Sequence, residues 1–261
     1  MARLVVVSPH LDDAVLSYGA RIAALAASGA EVTVFTVFAG DPAPPYSRAA
    51  EQYHALWSVS RDPVASRRDE DLLAQAEIGS RAVHGEFLDA IYRCDDDGRW
   101  VVPSGDPVDH RVEEPALVAA VTDRLVELVD RVRPDALVSC LAVGHHLDHV
   151  HARDATLAAA EQTGVPVRLW SDFPYADWAE EIPVLPEGWA LSEPVVEAID
   201  EDGWGRWVAA VRRYASQLPM LEQDGTPLPR WFQEHCAAHA RSLGAEDLYV
   251  VTRSAERVLV A

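Results

Sequence analysis

Two clusters of residues in this chain have the types and spacing to do chemistry. His10, Asp12 and Asp13 lie in "VVVSPHLDDAVLS", Val5 to Ser17, and His145, His146, Asp148, His149 and His151 lie in "GHHLDHVH". Imidazole nitrogen and carboxylate oxygen are donors suited to zinc, and to iron and other divalent ions. A catalytic zinc typically keeps three protein ligands and an open position for water. His10 and Asp13, three apart across a turn, can give two ligands, and His149 can give the third. Asp12 is then a spare carboxylate suited to act as general base toward a metal-activated water. His146, one turn before His149, can stay off the metal and stabilise a developing oxyanion as imidazolium. Asp148 can hold that ring and raise its pKa. His145 and His151 are expected to be solvated or supporting residues.

An isolated "HLDD" has a plainer reading, in which Asp12 caps a helix and Asp13 complements its dipole. Position favours the metal reading for the two clusters together. Each follows an apolar run without alternation, "RLVVVSP" and "ALVSCLAV", as expected of strands buried on both faces. Parallel α/β sheets place their sites beyond the carboxyl ends of the strands. If these two strands are near neighbours, the clusters converge.

The elements that must position them follow from periodicity. Val15, Tyr18, Ile22 and Leu25 fall at helical spacing, and Gly29 stands where a helix C-terminus favours glycine. "EVTVFTVF" is a second buried strand, so the start of the chain is β-α-β with a right-handed crossover. A helix is expected over Arg67–Ile78, closed by Gly79, then a strand "AVHGEFLD" and a hairpin turn in "CDDDGRW". Pro115 opens a helix with Leu117, Val121, Leu125, Leu128 and Val132 on one face, and Pro134 ends it. An alanine-rich helix reaches Gly164, and "VPVRLWSDFPYA" gives a strand and a loop. Beyond about residue 175 the pattern is less regular. "WVAAVRRYASQLPML" and "PRWFQEHCAAHARSL" are expected as helices, and "LYVVT" and "RVLVA" as short strands. The simplest architecture is one α/β domain over 1–261, with a core over 1–175 and a C-terminal elaboration over 176–261.

Composition narrows the partners. The 261 residues are 49% hydrophobic and 25% charged, which is globular, and the formal net charge is -20. A nucleic-acid or anionic-membrane binder needs a basic surface, so neither partner is expected. Cys94, Cys140 and Cys236 are scattered and odd in number, which argues against a disulfide framework and a thiolate metal site. No signal peptide and no apolar run of about 18 residues is found, and a cytoplasmic protein is expected.

"SPHLDDAVLS" and "HLDH" together resemble the PIG-L/LmbE-like family of zinc-dependent N-deacetylases, which carries P-H-x-D-D after its first strand and H-x-D-H later. "RRDEDLLAQAEIG", with Arg67 and Glu70 three apart, and "RRYASQ", with Tyr214 to Gln217, are similar to two further family elements in the same order. The resemblance spans roughly residues 3 to 220. It implies a Rossmann-like three-layer sandwich with a mostly parallel sheet, and hydrolysis of an N-acetyl group to acetate and a free amine. It implies Zn2+ (Fe2+ is an alternative) on His10, Asp13 and His149. It also implies Asp12 as base, His146 as oxyanion stabiliser and Asp148 as its support. Arg67 or its neighbour Arg68 matches a position at the substrate pocket. Gly144 stands where some members carry a bulkier side chain near the substrate.

The implied substrate is a small N-acetylated aminosugar or glycoside, in antibiotic or thiol-cofactor biosynthesis. Loops 40–66 and 90–115 are expected to form the rim, with Tyr46, Tyr53, Trp57, Tyr92 and Trp100 as candidates for stacking on it or as ordinary packing. "SDFPYADW" adds Asp172 and Tyr175 as substrate-binding candidates. Three other readings compete. A metal-dependent amidase acting on a cysteine conjugate would use the same site. A nucleotide-binding module would need the G-x-G-x-x-G turn that "SPHLDDAVLSYG" lacks. A structural metal protein would close its site with four ligands, leaving Asp12 and His146 without a role.

Overall fold

Val5, Val6 and Val7 are each at most 1% exposed, as the unbroken apolar run requires of a strand covered on both faces. They lie in β1 (Arg3–Ser8) of a computed structural model that describes residues 1–57, 62–179, 183–222, 225–242 and 249–257. Next come α1 (Asp13–Ala27), β2 (Glu31–Thr36), α2 (Arg48–Leu56), α3 (Pro63–Glu77), β3 (Arg81–His84), α4 (Pro115–Val132) and β4 (Ala136–Cys140). They are followed by α5 (Leu147–Thr163), β5 (Val167–Trp170), β6 (Trp189–Ala198), α6 (Glu201–Val211), α7 (Leu218–Leu221), α8 (Leu228–Ser242) and β7 (Tyr249–Arg257).

The strands form one sheet in the order β3-β2-β1-β4-β5-β7-β6. The first five are parallel, and β7 runs antiparallel to both of its neighbours. The period-two alternation of strand side chains divides the core in two. Val6, Val34 and Val138 pack with Tyr18 and Ile22 of α1 and with Trp207 and Phe232 of α6 and α8. Val5, Val7, Leu137 and Leu169 pack with Leu125 and Leu128 of α4 and Ala152 and Ala155 of α5 on the other face. This is the expected three-layer α/β sandwich. Val7 stands opposite Ser139 in the β1–β4 ladder, so the strands carrying the two clusters end side by side.

Several elements differ from the sequence expectation. α3 starts at Pro63, four residues before Arg67, because the Asp62 side chain accepts the Ala65 N–H at 3.2 Å and proline suits the first helical turn. "AVHGEFLD" leaves the sheet at Gly85. A Cβ at Gly85 would strike the Val37 carbonyl, and one at Gly40 would strike that of Glu86, so two chain segments cross there without side chains. The "CDDDGRW" turn closes a single antiparallel bridge, Cys94 to Trp100, with Gly98 at φ 76°. "WVAAVRRYASQLPML" breaks after Val211, where Tyr214 and Ser216 turn to bond with α3. The Tyr214 hydroxyl donates to Asp71 at 2.8 Å, and Ser216 donates to Glu70 through N–H at 2.9 Å and Oγ at 2.6 Å. β6 was not expected. It is an edge strand interrupted by Pro194, with a register shift between Leu191 and Pro194. "LYVVT" falls in β7, whereas "RVLVA" lies, beyond Arg257, outside the described residues.

Trp207 joins the C-terminal helices to α1. It is fully buried, its Nε1–H donates to the Val15 carbonyl at 2.7 Å, and its ring centroid lies 4.3 Å from that of Phe232. A Cβ on Gly19 would come within 2.9 Å of the Trp207 ring, so the indole needs glycine opposite it. Trp207→Ala is expected to lower unfolding free energy by about 3–5 kcal/mol in urea titration, through lost burial and the cavity left behind.

Candidate active site

β1 and β4 deliver the two clusters to one place, beyond the carboxyl ends of the sheet. Asp13 opens α1, and its Oδ2 accepts the His10 backbone N–H at 2.8 Å. The same oxygen lies 3.2 Å from His10 Nδ1 and 3.2 Å from His149 Nε2. Both imidazoles thus turn one nitrogen toward a single carboxylate oxygen. Each ring is clamped at its far nitrogen by a second carboxylate, His10 Nε2 by Asp148 Oδ2 at 3.0 Å and His149 Nδ1 by Asp172 Oδ1 at 2.8 Å.

This arrangement fits a divalent metal. His149 Nε2 is buried and has no hydrogen-bond partner despite its closeness to Asp13. Donor atoms of His10, His146 and His149 lie within 4.8 Å of one another. Carboxylate clamping of the far imidazole nitrogen is the usual outer support of metal-binding histidines. Without a metal, protons take the cation's place. Burial opposes the charge on His149, but Asp13 and Asp172 outweigh it and hold the ring up at about 9. Burial likewise opposes a charged His10, and Asp89, Asp13 and Asp148 raise it well above the usual imidazole value. Burial would raise Asp13, but the neighbouring imidazoles hold it well below the usual carboxylate range.

Asp12 stands beside this centre. Its Oδ1 accepts from Arg67 Nη2 at 3.3 Å, and burial raises it to about 6 against the lowering charge of Arg67. Its side chain makes no cap hydrogen bond to α1, so the helix-cap reading of this residue does not hold. Arg67 is buried, with its guanidinium 4.5 Å from the Trp57 ring. Arg68 does not reach the site. It donates to the Ala39 carbonyl and lies outside the cavity, because consecutive helical residues diverge by about 100°.

His146 is the N-cap of α5, and its Nδ1 accepts the Asp148 backbone N–H at 3.2 Å. Asp148 was expected to hold this ring with its carboxylate. Instead that carboxylate is fully buried on the far side, where Oδ2 binds His10 and the Ala90 N–H at 2.8 Å. Burial, and then the charges of His10 and His149, push the His146 imidazole well below its usual value. Asp172 was expected at the substrate. It sits behind His149 instead, with Oδ2 accepting the Val143 N–H at 3.0 Å. Tyr175 does face the cavity, edge-on to His149 with ring centroids 5.3 Å apart. Gly144 makes room for it, since a Cβ there would lie 2.9 Å from Tyr175 Cβ. His145 has φ 59° in the turn that follows, and His151 is buried behind the site near Glu114.

The cavity over this floor has a volume of 520 Å³, ordinary for a small-molecule site. Tyr53 and Trp57 line one side, and Tyr175, Trp178 and Trp231 line the other. Both predicted rim loops contribute, but Tyr46, Tyr92 and Trp100 stay off the lining. Tyr92 instead bonds to His54 at 2.7 Å. Sequence reasoning missed Asp89, 3.6 Å from His10 Nε2, and Arg93, 2.7 Å from Asp148. Asp89 follows β3 and could have been found by the same strand-end rule. Arg93 has no local signal.

The sheet and its floor are those of a metal-dependent hydrolase. Residues 5–160 match the PIG-L family, described as GlcNAc-PI de-N-acetylase, and the chain belongs to that family of deacetylases. It is 30% identical to a 1D-myo-inositol 2-acetamido-2-deoxy-alpha-D-glucopyranoside deacetylase of Corynebacterium glutamicum, over 83% of this chain and 75% of that one. Its counterpart in Corynebacterium diphtheriae is 28% identical over 83% and 76%. Among solved structures, the zinc-inhibited form of the teicoplanin deacetylase Orf2 superposes with TM-score 0.92 at 37% identity, over the whole of both chains. The A40926 pseudoaglycone deacetylase Dbv21 superposes with TM-score 0.85 at 38% identity, over 100% and 99%. Membership of a deacetylase family sets aside the nucleotide-binding and structural-metal readings. No helix among the described residues is long and apolar enough to cross a membrane.

Two substitutions test the construction of the site. Asp172→Ala is expected to weaken divalent-metal binding about 10–100-fold in chelator competition, because His149 loses its clamp. Gly144→Ala is expected to raise KM and to cost about 1–2 kcal/mol in urea titration, since alanine must adopt φ +83° and displace Tyr175.

Proposed function

We propose that the protein is a zinc-dependent N-deacetylase acting on an N-acetylaminosugar attached to a large aromatic aglycone, in the manner of an antibiotic tailoring enzyme. The observation that carries this reading is the aromatic mouth above a deacetylase floor. Trp178 is 65% exposed at the rim, its ring 5.5 Å from that of Trp231, and Leu56 is 50% exposed across the cavity. A sugar alone needs no such surface outside its pocket. The full-length likeness to the teicoplanin deacetylase Orf2 and the A40926 pseudoaglycone deacetylase Dbv21 supports the same choice.

His10, Asp13 and His149 would hold the metal, which supplies Lewis-acid polarisation of the acetyl carbonyl and activation of water. Arg67 keeps the adjacent Asp12 in place and exposes its carboxylate to the cavity floor. Asp12 removes a proton from the attacking water as the C–O bond forms at the amide carbon. The oxyanion that develops accepts a hydrogen bond from His146. Because His146 Nδ1 already accepts the Asp148 N–H, the ring proton belongs on Nε2, and the donor is a neutral imidazole rather than an imidazolium. The positive end of α5 reinforces that state, since a helix N-terminus disfavours a cation. Asp12 then passes its proton to the departing nitrogen as the C–N bond breaks, which gives acetate and a free amine.

Acetate release should be measured from the N-acetylated A40926 pseudoaglycone, from 1D-myo-inositol 2-acetamido-2-deoxy-alpha-D-glucopyranoside and from free N-acetylglucosamine. The pseudoaglycone is expected to have the highest kcat/KM, and a preference for the inositol glycoside would sink the aglycone assignment. Release of an amine-bearing product from a cysteine conjugate in preference to all three would favour the amidase reading. Asp12→Asn is expected to lower kcat about 10²–10⁴-fold at unchanged zinc content. Normal turnover by that variant would remove Asp12 from the base role.

A further inference from the structure

Behind His10 the structure holds a buried ion-pair chain that the reaction above does not use. Arg93 comes from the loop after β3, is 8% exposed, and has every arm of its guanidinium occupied. Nε and Nη2 donate to the two oxygens of Glu114 at 2.9 and 2.7 Å, a bidentate pair. Nη1 donates to the Leu88 carbonyl at 2.7 Å and lies 2.7 Å from Asp148 Oδ1. The group also sits 5.1 Å from the Phe38 ring centroid. Asp148 is thereby engaged at both oxygens, Oδ1 by the charge of Arg93 at ion-pair distance though without a hydrogen bond, and Oδ2 by hydrogen bonds to the Ala90 N–H and His10 Nε2.

The orientation of His10 depends on this chain. An imidazole rotates about two bonds, and the ring nitrogen facing Asp13 is selected by what the other nitrogen meets. Asp148 meets Nε2 at 3.0 Å, closer than Asp89 at 3.6 Å, which leaves Nδ1 on the Asp13 side. A carboxylate held at one oxygen alone could swing. The charge of Arg93 beside Oδ1 opposes this, and Glu114 fixes Arg93 in turn. We propose that Arg93, clamped by Glu114, is a positioning residue for the metal ligand His10, acting through Asp148 so that Nδ1 is presented beside Asp13. This rests on the reading of His10, Asp13 and His149 as the metal donors. The competing role is purely structural, in which Arg93 ties the loop 90–115 to the sheet and has no effect on the metal.

The two roles separate in metal affinity. Zinc dissociation constants of the wild-type protein and of Arg93→Gln should be measured by competition with a chromogenic chelator, with circular dichroism and thermal unfolding of the metal-free forms alongside. The positioning role predicts zinc binding weakened by about 10-fold or more with the fold intact, the range expected for loss of an outer support. A smaller loss, with a drop in thermal stability alone, would overturn it. If Arg93→Gln does not fold, Glu114→Gln keeps the question open to test, because it loosens the fork without leaving Arg93 facing a void. That variant is expected to weaken zinc binding in the same direction, and unchanged affinity would overturn the proposal. Failure of the wild-type protein to bind zinc would instead remove the metal reading on which the proposal stands.

Discussion

One carboxylate oxygen, Asp13 Oδ2, stands 3.2 Å from each of two imidazole nitrogens and 2.8 Å from a backbone N–H. The site is organised around that crowding. Asp12, Asp13, Asp148 and Asp172 are all buried at the ends of the central strands, with 8%, 8%, 0% and 1% exposure. Carboxylates cannot be buried in such number without partners, since each isolated one would cost far more than a folded domain has in reserve. Arg67 compensates Asp12 and Arg93 compensates Asp148, while Asp13 and Asp172 face the imidazole of His149. The positive charge required at the centre itself is what a divalent ion would provide. The buried acids call for positive charge at the centre, from a divalent ion or from protons on His10 and His149.

The same constraint explains how the C-terminal part joins the site. α3 must hold Arg67 against Asp12, and α3 is held by Tyr214 and Ser216 through Asp71 and Glu70. Those two contacts interrupt the helix begun by α6 and bring Gln217, Met220 and Leu221 over the cavity. Positioning of Arg67 and closure of the pocket therefore use one set of hydrogen bonds. The floor comes from strand ends, which are rigid. The walls come from loops and from α7 and α8, where substitution can change the occupant without disturbing the floor.

The strands, the first crossover and the two clusters were legible because their signals are local. An unbroken apolar run marks a doubly covered strand, and a polar cluster directly after it marks the strand end. Side-chain direction beyond that end is not local. Asp148 and His146 are two apart in sequence, yet their side chains serve opposite sides of the centre, because Ala90 and Arg93 draw the carboxylate away. Asp172 looked like a pocket residue because it follows a strand, but the Val143 N–H and the Nδ1 side of His149 hold it behind that ring. Arg67 and Arg68 are indistinguishable in a string of letters, and the phase of α3 separates them. β6 escaped detection because "WALSEPVVEA" carries a proline and mixed polarity, tolerable only on an edge.

His146 shows how backbone geometry can choose a chemical state. A histidine placed to stabilise an oxyanion is naturally imagined as a cation, since charge attracts charge. Its place as the N-cap of α5 argues otherwise, because Nδ1 is already an acceptor and a second proton there would meet the Asp148 N–H head-on. The neutral ring retains one N–H, on Nε2, and gains a fixed direction from the cap. Catalysis through a preorganised neutral donor avoids an additional cation beside a site that must already attract a divalent one. The two positive charges would otherwise compete for the same carboxylates. In the proposed reaction, capping the helix with this imidazole avoids an electrostatic conflict that a metal at His10, Asp13 and His149 would create.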